Sequence, residues 1–378
     1  MSDYRQGFQT RRRMGRRYTI GVFSVMALLA GWAWLWHYAA GRTQTVIEGW
    51  RVREAKAGRF YACGAQTIGG FPFRFEVNCN KALVQLPHGQ PPVEIKAAGA
   101  LIAAQVYEPT VLTGEFRGPL TIADPGQPPS FIANWTRGGA SVSGTPVSPE
   151  SVSLTFDDAA LNRIIGGQQQ NYLRAKHVEI DGRMIAGSAA HNPVIEVALK
   201  LAATSAPGLH PAAATPIDAD ITWVLRGLRD FAPKPWRERY RELQAAGGRI
   251  DITQARVKQG PTLAVGKGTL SLNANGRLEG QLQVTVAGLE PFLTAIGAQK
   301  AVQTSRDMDK VAGALDRLLP GLGNVAREQA AANLSSGINL LGQQTTLEGQ
   351  QAVTLPLRLS DGAIFLGPIP VGKTPALF

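Results

Sequence analysis

Cysteine is almost absent: 378 residues contain two, Cys63 and Cys79. A disulfide-dense scaffold and a zinc site of four cysteines are therefore excluded, and redox chemistry on a C-x-x-C pair has no substrate for it. Histidine is scarce as well. The five, His37, His88, His177, His191 and His210, make neither H-x-x-x-H nor H-E-x-x-H, so no zinc-protease helix is encoded. No G-x-S-x-G nucleophile elbow occurs. Nor does G-x-G-x-x-G follow a strand. Charged residues are only 18% of the chain, while apolar residues are 44%, which rules out wholesale disorder. One stretch lacks charge altogether: Tyr18–Ala40 holds no Asp, Glu, Lys or Arg.

That uncharged run of 23 residues would extend about 34 Å as a helix, enough for a hydrocarbon core of about 30 Å with some tilt. Tyr18 opens it, and Trp32, Trp34, Trp36 and Tyr38 gather at its far end, where interfacial aromatics sit. The first 17 residues form a basic tail in which Arg5, Arg11, Arg12, Arg13, Arg16 and Arg17 face a single acid, Asp3, and so carry +5 of the net +11. By the positive-inside rule the tail stays in the cytoplasm and the bulk of the chain lies in the periplasm, on the other side of the inner membrane. The apolar run is too long for a secretory signal and lacks an A-x-A site, so an uncleaved anchor is expected. Topology also accounts for the arginines without nucleic acid.

Residues 41–58 show helical spacing at Ile47, Trp50 and Glu54 and read as a stalk that continues the membrane helix. After Gly58 the period becomes two. In Phe71–Cys79 the residues Phe71, Phe73, Phe75 and Val77 alternate with Pro72, Arg74, Glu76 and Asn78, the pattern of a half-buried strand. Gly69-Gly70 is expected to turn the chain back onto a strand through Phe60 and Ala62. Alternation recurs over 82–86, 93–107, 111–116, 120–123, 131–136, 141–144, 152–156, 173–180, 194–202, 217–225 and 268–286. Residues 353–359 and 363–366 close the series. A helix with Trp236, Tyr240 and Leu243 on one face interrupts it, and residues 289–341 read as two or three amphipathic helices. Many one-sided strands and few helices predict an α+β, mainly β fold: a transmembrane helix, then a large, curled, mostly antiparallel sheet over 59–378 with a few covering helices. A weak boundary falls near 205–216.

Several elements occur together in a specific order. They are Trp50 with Glu54, Cys63, Gly70–Arg74 running to Cys79, the 268–286 hairpin, and the closing LRLSDGAIFLGPIPVG. In this order they resemble the DUF2125 family of alphaproteobacterial proteins with an N-terminal membrane segment, over roughly residues 40–375. The hairpins also resemble, in style, those of AsmA-like envelope proteins, whose curled sheets handle lipids. The DUF2125 resemblance implies location and architecture and transfers no catalytic residue.

The candidate sites are correspondingly few. Cys63 and Cys79, on adjacent predicted strands in an oxidising compartment, are expected to form a disulfide. Gly367–Thr374 spells the Walker A pattern, but Pro368 and Pro370 lack the N–H groups that a phosphate loop needs, and no helix follows. Nucleotide binding is not expected. Asp218 and Asp220 read as a solvated face, Asp157-Asp158 as a turn or helix start, and Arg237, Arg239 and Arg241 as surface partners of Glu238 and Glu242. No catalytic residue, cofactor or metal ligand is assigned. The expectation is a non-enzymatic envelope protein that binds lipid or another apolar ligand. The alternatives are an anchored scaffold for other envelope proteins or an enzyme without a recognisable motif.

Overall fold

The computed structural model describes residues 10–89, 91–145, 148–209, 211–232, 234–288, 342–366 and 369–377. Helix α1 (Thr10–Lys56) is one unbroken rod that merges the predicted span and stalk. It begins inside the predicted basic tail, so Arg11, Arg12, Arg13, Arg16 and Arg17 fall on its first turns; their side chains lie outside the described residues. Its apolar segment from Tyr18 on is long and apolar enough to cross a membrane. Phe23 and Leu28 are about three-quarters exposed there. Arg53 and Lys56 in the last turn suit the negative end of the helix dipole. The helix stops in a Schellman-type cap: Gly58 N–H donates to Ala55 O (3.0 Å) and Arg59 N–H to Glu54 O (3.0 Å).

Seventeen strands follow among the described residues. In chain order they are β1 (Phe60–Gly69), β2 (Arg74–Leu86), β3 (Val93–Gln105), β4 (Glu108–Ala123), β5 (Phe131–Asn134), β6 (Arg137–Thr145), β7 (Ser148–Ile165), β8 (Gln168–Ser188) and β9 (His191–Thr204). A short 3₁₀ turn (Pro211–Ala214) leads to β10 (Ile217–Arg226), and helix α2 (Trp236–Ala245) separates this from β11 (Arg249–Gln259). The remainder are β12 (Thr262–Leu272), β13 (Leu278–Ala287), β14 (Gln343–Leu347), β15 (Gln350–Ser360), β16 (Ala363–Leu366) and β17 (Ile369–Lys373). The helices expected over 289–341 lie outside the described residues.

All pairings are antiparallel and nearly all are between chain neighbours. β5 and β6 are collinear and both sit between β4 and β7. β15 pairs with β13 along one edge and with β14 and β16 along the other. The result is one meandering sheet, in agreement with the mainly β expectation.

Several local readings change, and the strands expected at 111–116 and 120–123 are one strand, β4. The strand predicted from Phe71 starts at Arg74: Gly70 adopts φ +98° and Gly70–Phe73 make the turn, because a residue in the left-handed region and a proline without an N–H cannot continue a ladder. The separate strand expected at 82–86 is the far half of β2, carried past a left-handed Lys81 (φ 53°). Asp157-Asp158 is neither turn nor helix start: both lie within β7, where Asp158 takes φ 49° opposite the break between β5 and β6. Thr136 at that break donates to Asp158 Oδ2 (2.7 Å).

Helix α1 lies along the β1–β2 hairpin over roughly 28 Å, given 1.5 Å per residue between its outermost contacts, Trp32 and Arg51. Trp32 Nε1–H donates to Pro72 O (3.0 Å) and Trp36 Nε1–H to Arg74 O (3.2 Å). Further along, Trp50 packs on Tyr61, and Arg51 donates to Gln66 Oε1 (2.5 Å) and Cys63 Sγ (3.4 Å). Cys63 and Cys79 are disulfide-bonded across the two strands, with Cα atoms 5.5 Å apart. Replacing both by serine should cost about 3 kcal/mol, the chain-entropy value for closing a loop of this length. Thermal unfolding of the double variant checks this, and reductant on the native chain should produce the same fall in Tm.

Candidate functional site

Antiparallel pairing converts each strand's alternation into continuous rows. Starting at Val77, the register runs through Ile102, Gly114, Ala140, Leu154 and Ile180, then Leu199, Ile221, Ala255, Gly266, Val284 and Leu355. No member of this row is polar. The rows on either side of it, from Cys79 to Val353 and from Phe75 to Leu357, are equally apolar from end to end. At about 4.8 Å per strand each row extends roughly 50 Å. The opposite face is polar, with pairs such as Glu179–Lys200 (3.2 Å) and Arg183–Glu196 (2.7 Å).

The two ends of this apolar face differ. At the β12–β15 end, Val286, Val353 and Leu355 are buried, and so are Leu263, Ala287 and Ala352 on the reverse side, so both faces are closed to solvent. From β3 to β8 the face is open. Ile102 is 48% exposed, Leu112 40%, Val152 39% and Ile180 37%. Between Cys79 and Ala206 the buried hydrophobic side chains among the described residues are those of Ala123, Ala175 and Pro193. A local plug sits at Gly138, where a Cβ would meet Trp135 Nε1 at 2.5 Å. The missing side chain there admits the Trp135 indole, which donates to Phe116 O (2.8 Å) and packs edge-on against Phe156. Contiguous exposed apolar surface of this kind commonly marks a ligand, membrane or protein contact.

Helix α2 closes one corner of the face. Tyr240 and Leu243, with Leu225, Ile250, Leu270, Leu278 and Leu377, leave a small apolar cavity of about 60 Å³. An ionic cluster pins the helix there. Glu242, whose side chain is 7% exposed, accepts from Lys234 Nζ (2.7 Å), Arg239 Nη1 (3.0 Å) and the Arg229 amide (2.9 Å). Asp230 binds the same Lys234 (3.0 Å). Burial works to raise the Glu242 carboxyl, but Lys234, the Arg229 amide and Arg239 more than offset it and hold it below the usual range. Arg239 is therefore an inward-facing partner, 12% exposed, and not the surface residue that its helical spacing suggested. The i,i+3 spacing of Arg239 and Glu242 is visible in the sequence; its inward orientation is not.

The other chemistry-bearing residues do not converge. His177 Nδ1 lies 2.7 Å from Asp157 Oδ1 on the polar face, and Asp157 also accepts from Arg137 (3.0 Å). The His177 hydrogen bond, with help from Arg137, keeps the Asp157 carboxyl low against partial burial. Asp218 caps the Ala203 amide (2.8 Å). The Walker-like segment contributes β17, and Thr374 bonds back to Gly362 (2.6 Å) in place of opening a helix. No group of three metal-capable His, Cys, Asp or Glu side chains occurs among the described residues. Of the aromatic belt, Trp34 and Tyr38 face outward and stack on each other at 5.8 Å, while Trp32 and Trp36 turn to the hairpin.

The chain belongs to DUF2125, a family described as an uncharacterized protein conserved in bacteria, whose model matches residues 36–375. No curated protein matches it.

The Glu242 cluster predicts acid sensitivity. A carboxyl held low in the fold adds stability above its unfolded pKa and loses it as pH falls through the folded value. Glu242→Gln should lower Tm at neutral pH, and it should flatten the further fall of Tm below pH 4.5, the ordinary value for this carboxyl. Thermal scans from neutral pH to about pH 3 on both proteins check the difference.

Proposed function

We propose that this DUF2125 member is a single-pass inner-membrane protein, with its N-terminus in the cytoplasm and its sheet in the periplasm. It binds a lipid or another apolar ligand along the open apolar face and catalyses no reaction. The observation that carries this reading is the set of three unbroken apolar rows, open from β3 to β8. Burying apolar carbon there is worth about 0.8 kcal/mol per CH₂, so a dozen methylenes of an acyl chain would release roughly 10 kcal/mol before the costs of ordering. The arginine-rich start and the apolar α1 support the topology. The polar face carries ion pairs that satisfy one another, which supports a binding role over a catalytic one.

Photo-cross-linking in cells tests the proposal. A benzophenone amino acid at Ile180, on the open face, should capture adducts of lipid mass; the same probe at Glu179, on the opposite face, should not. Ile102→Glu should cut the Ile180 adduct by about tenfold or more. Protein-sized adducts at Ile180 would favour the scaffold alternative, and absence of adducts would remove the lipid reading.

A further inference from the structure

The contacts between α1 and the first hairpin set the depth of the hairpin tip. Pro72 is bonded to Trp32 and Arg74 to Trp36. Both tryptophans belong to the apolar run, which ends before Arg42. At 1.5 Å per residue, Trp32 lies about 15 Å below Arg42 along the helix axis and Trp36 about 9 Å below it. The tip therefore stands level with the aromatic belt of the span, beside the outward-facing Trp34 and Tyr38. Trp36 itself is 6% exposed, stacked on Phe75 (5.6 Å) and edge-on to Phe71 (5.5 Å), so the hairpin is packed against the helix at this depth. The tip's remaining aromatic surface is open: Phe71 is 52% exposed and Phe73 65%.

Several backbone carbonyls at and beside the tip already have donors. Backbone carbonyls without donors are costly in lipid. Here Gly70 O accepts from the Arg74 amide (3.0 Å), Phe73 O from the Val106 amide (2.9 Å), and Pro72 O and Arg74 O from the two indoles. Pro72 brings no N–H to satisfy. Arg74, the first charge after the tip, is one helix turn nearer the headgroups and is paired with Glu76 (2.5 Å).

We propose that the β1–β2 hairpin tip, Gly70–Phe73, is seated in the bilayer leaflet on the C-terminal side of α1, with Phe71 and Phe73 facing lipid. This rests on the reading of α1 as a membrane span. It places the first members of one apolar row, Phe75, Ala104 and Leu112, at the surface of that leaflet, where a lipid could pass onto the face without crossing water.

The test uses the full chain, with Cys63–Cys79 left oxidised, in nanodiscs of phosphatidylethanolamine and phosphatidylglycerol. An environment-sensitive fluorophore is attached at Phe73→Cys, and lipids carrying a nitroxide high on the acyl chain are the quencher. The probe at 73 should emit to the blue and lose most of its intensity to the nitroxide. The same probe at Gln127→Cys, in the exposed turn before β5, should be unaffected. A probe at Met26→Cys, within the apolar run, separates the two ways of failing. Quenching at 26 without quenching at 73 overturns the insertion and leaves the span intact. Absence of quenching at both sites overturns the span and the insertion with it.

Discussion

The structure depends on the register of one antiparallel ladder. Because side chains alternate, a slip of a single residue in any pairing would carry an apolar set to the polar face and break three rows at once. The rows instead continue from β2 to β15 without interruption. Left-handed residues such as Lys81 and Asp158 absorb the extra residues that the long strands contain. From β3 to β8 the outcome is a sheet with one wet face and one apolar face whose side chains are partly exposed, without a second layer over them among the described residues. A sheet of this size would ordinarily bury that face against helices or another sheet. Here an apolar surface stays in the open, and the proposed binding role rests on it.

What holds the sheet also restricts what can reach it. The disulfide ties β1 to β2, Arg51 joins α1 to both Cys63 and Gln66, and two indole donors clamp the hairpin tip to the apolar helix. These are short-range devices at one end, on a strand pair that would be marginal by itself. They fix the first strands of the sheet relative to the long helix, so orientation of the helix becomes orientation of the face. At the other side, α2 blocks a corner of the face through a cluster in which two carboxylates and two cations are neutralised together. A buried charge on Glu242 is tolerable only because three donors converge on it.

Much of this architecture is legible in the chain itself. The uncharged run from Tyr18 to Ala40 announces a helix long and apolar enough to cross a membrane, since its chemistry is local and needs no partner. The alternation around Phe75–Val77 and Ile195–Leu201 announces one-sided strands, and two cysteines on neighbouring strands announce their bond. Strand ends are less legible. Phe71 and Phe73 keep the alternation of β2 yet belong to the turn, because Gly70 and Pro72 override the pattern through backbone chemistry. Asp157-Asp158 has the look of a terminator and instead sits mid-strand, satisfied by His177, Arg137 and Thr136, which are remote or separately placed in sequence.

The sequence by itself determined the class of each segment: which residues prefer lipid, which faces are apolar, and where oxidation can staple the chain. Those are properties of residues and their near neighbours. Only the tertiary structure decided that apolar faces from a dozen strands line up in register, that Trp32 and Trp36 serve a hairpin, and that Arg239 and Glu242 point inward. Each of those depends on partners far away along the chain, and periodicity carries no information about which strand will lie beside which.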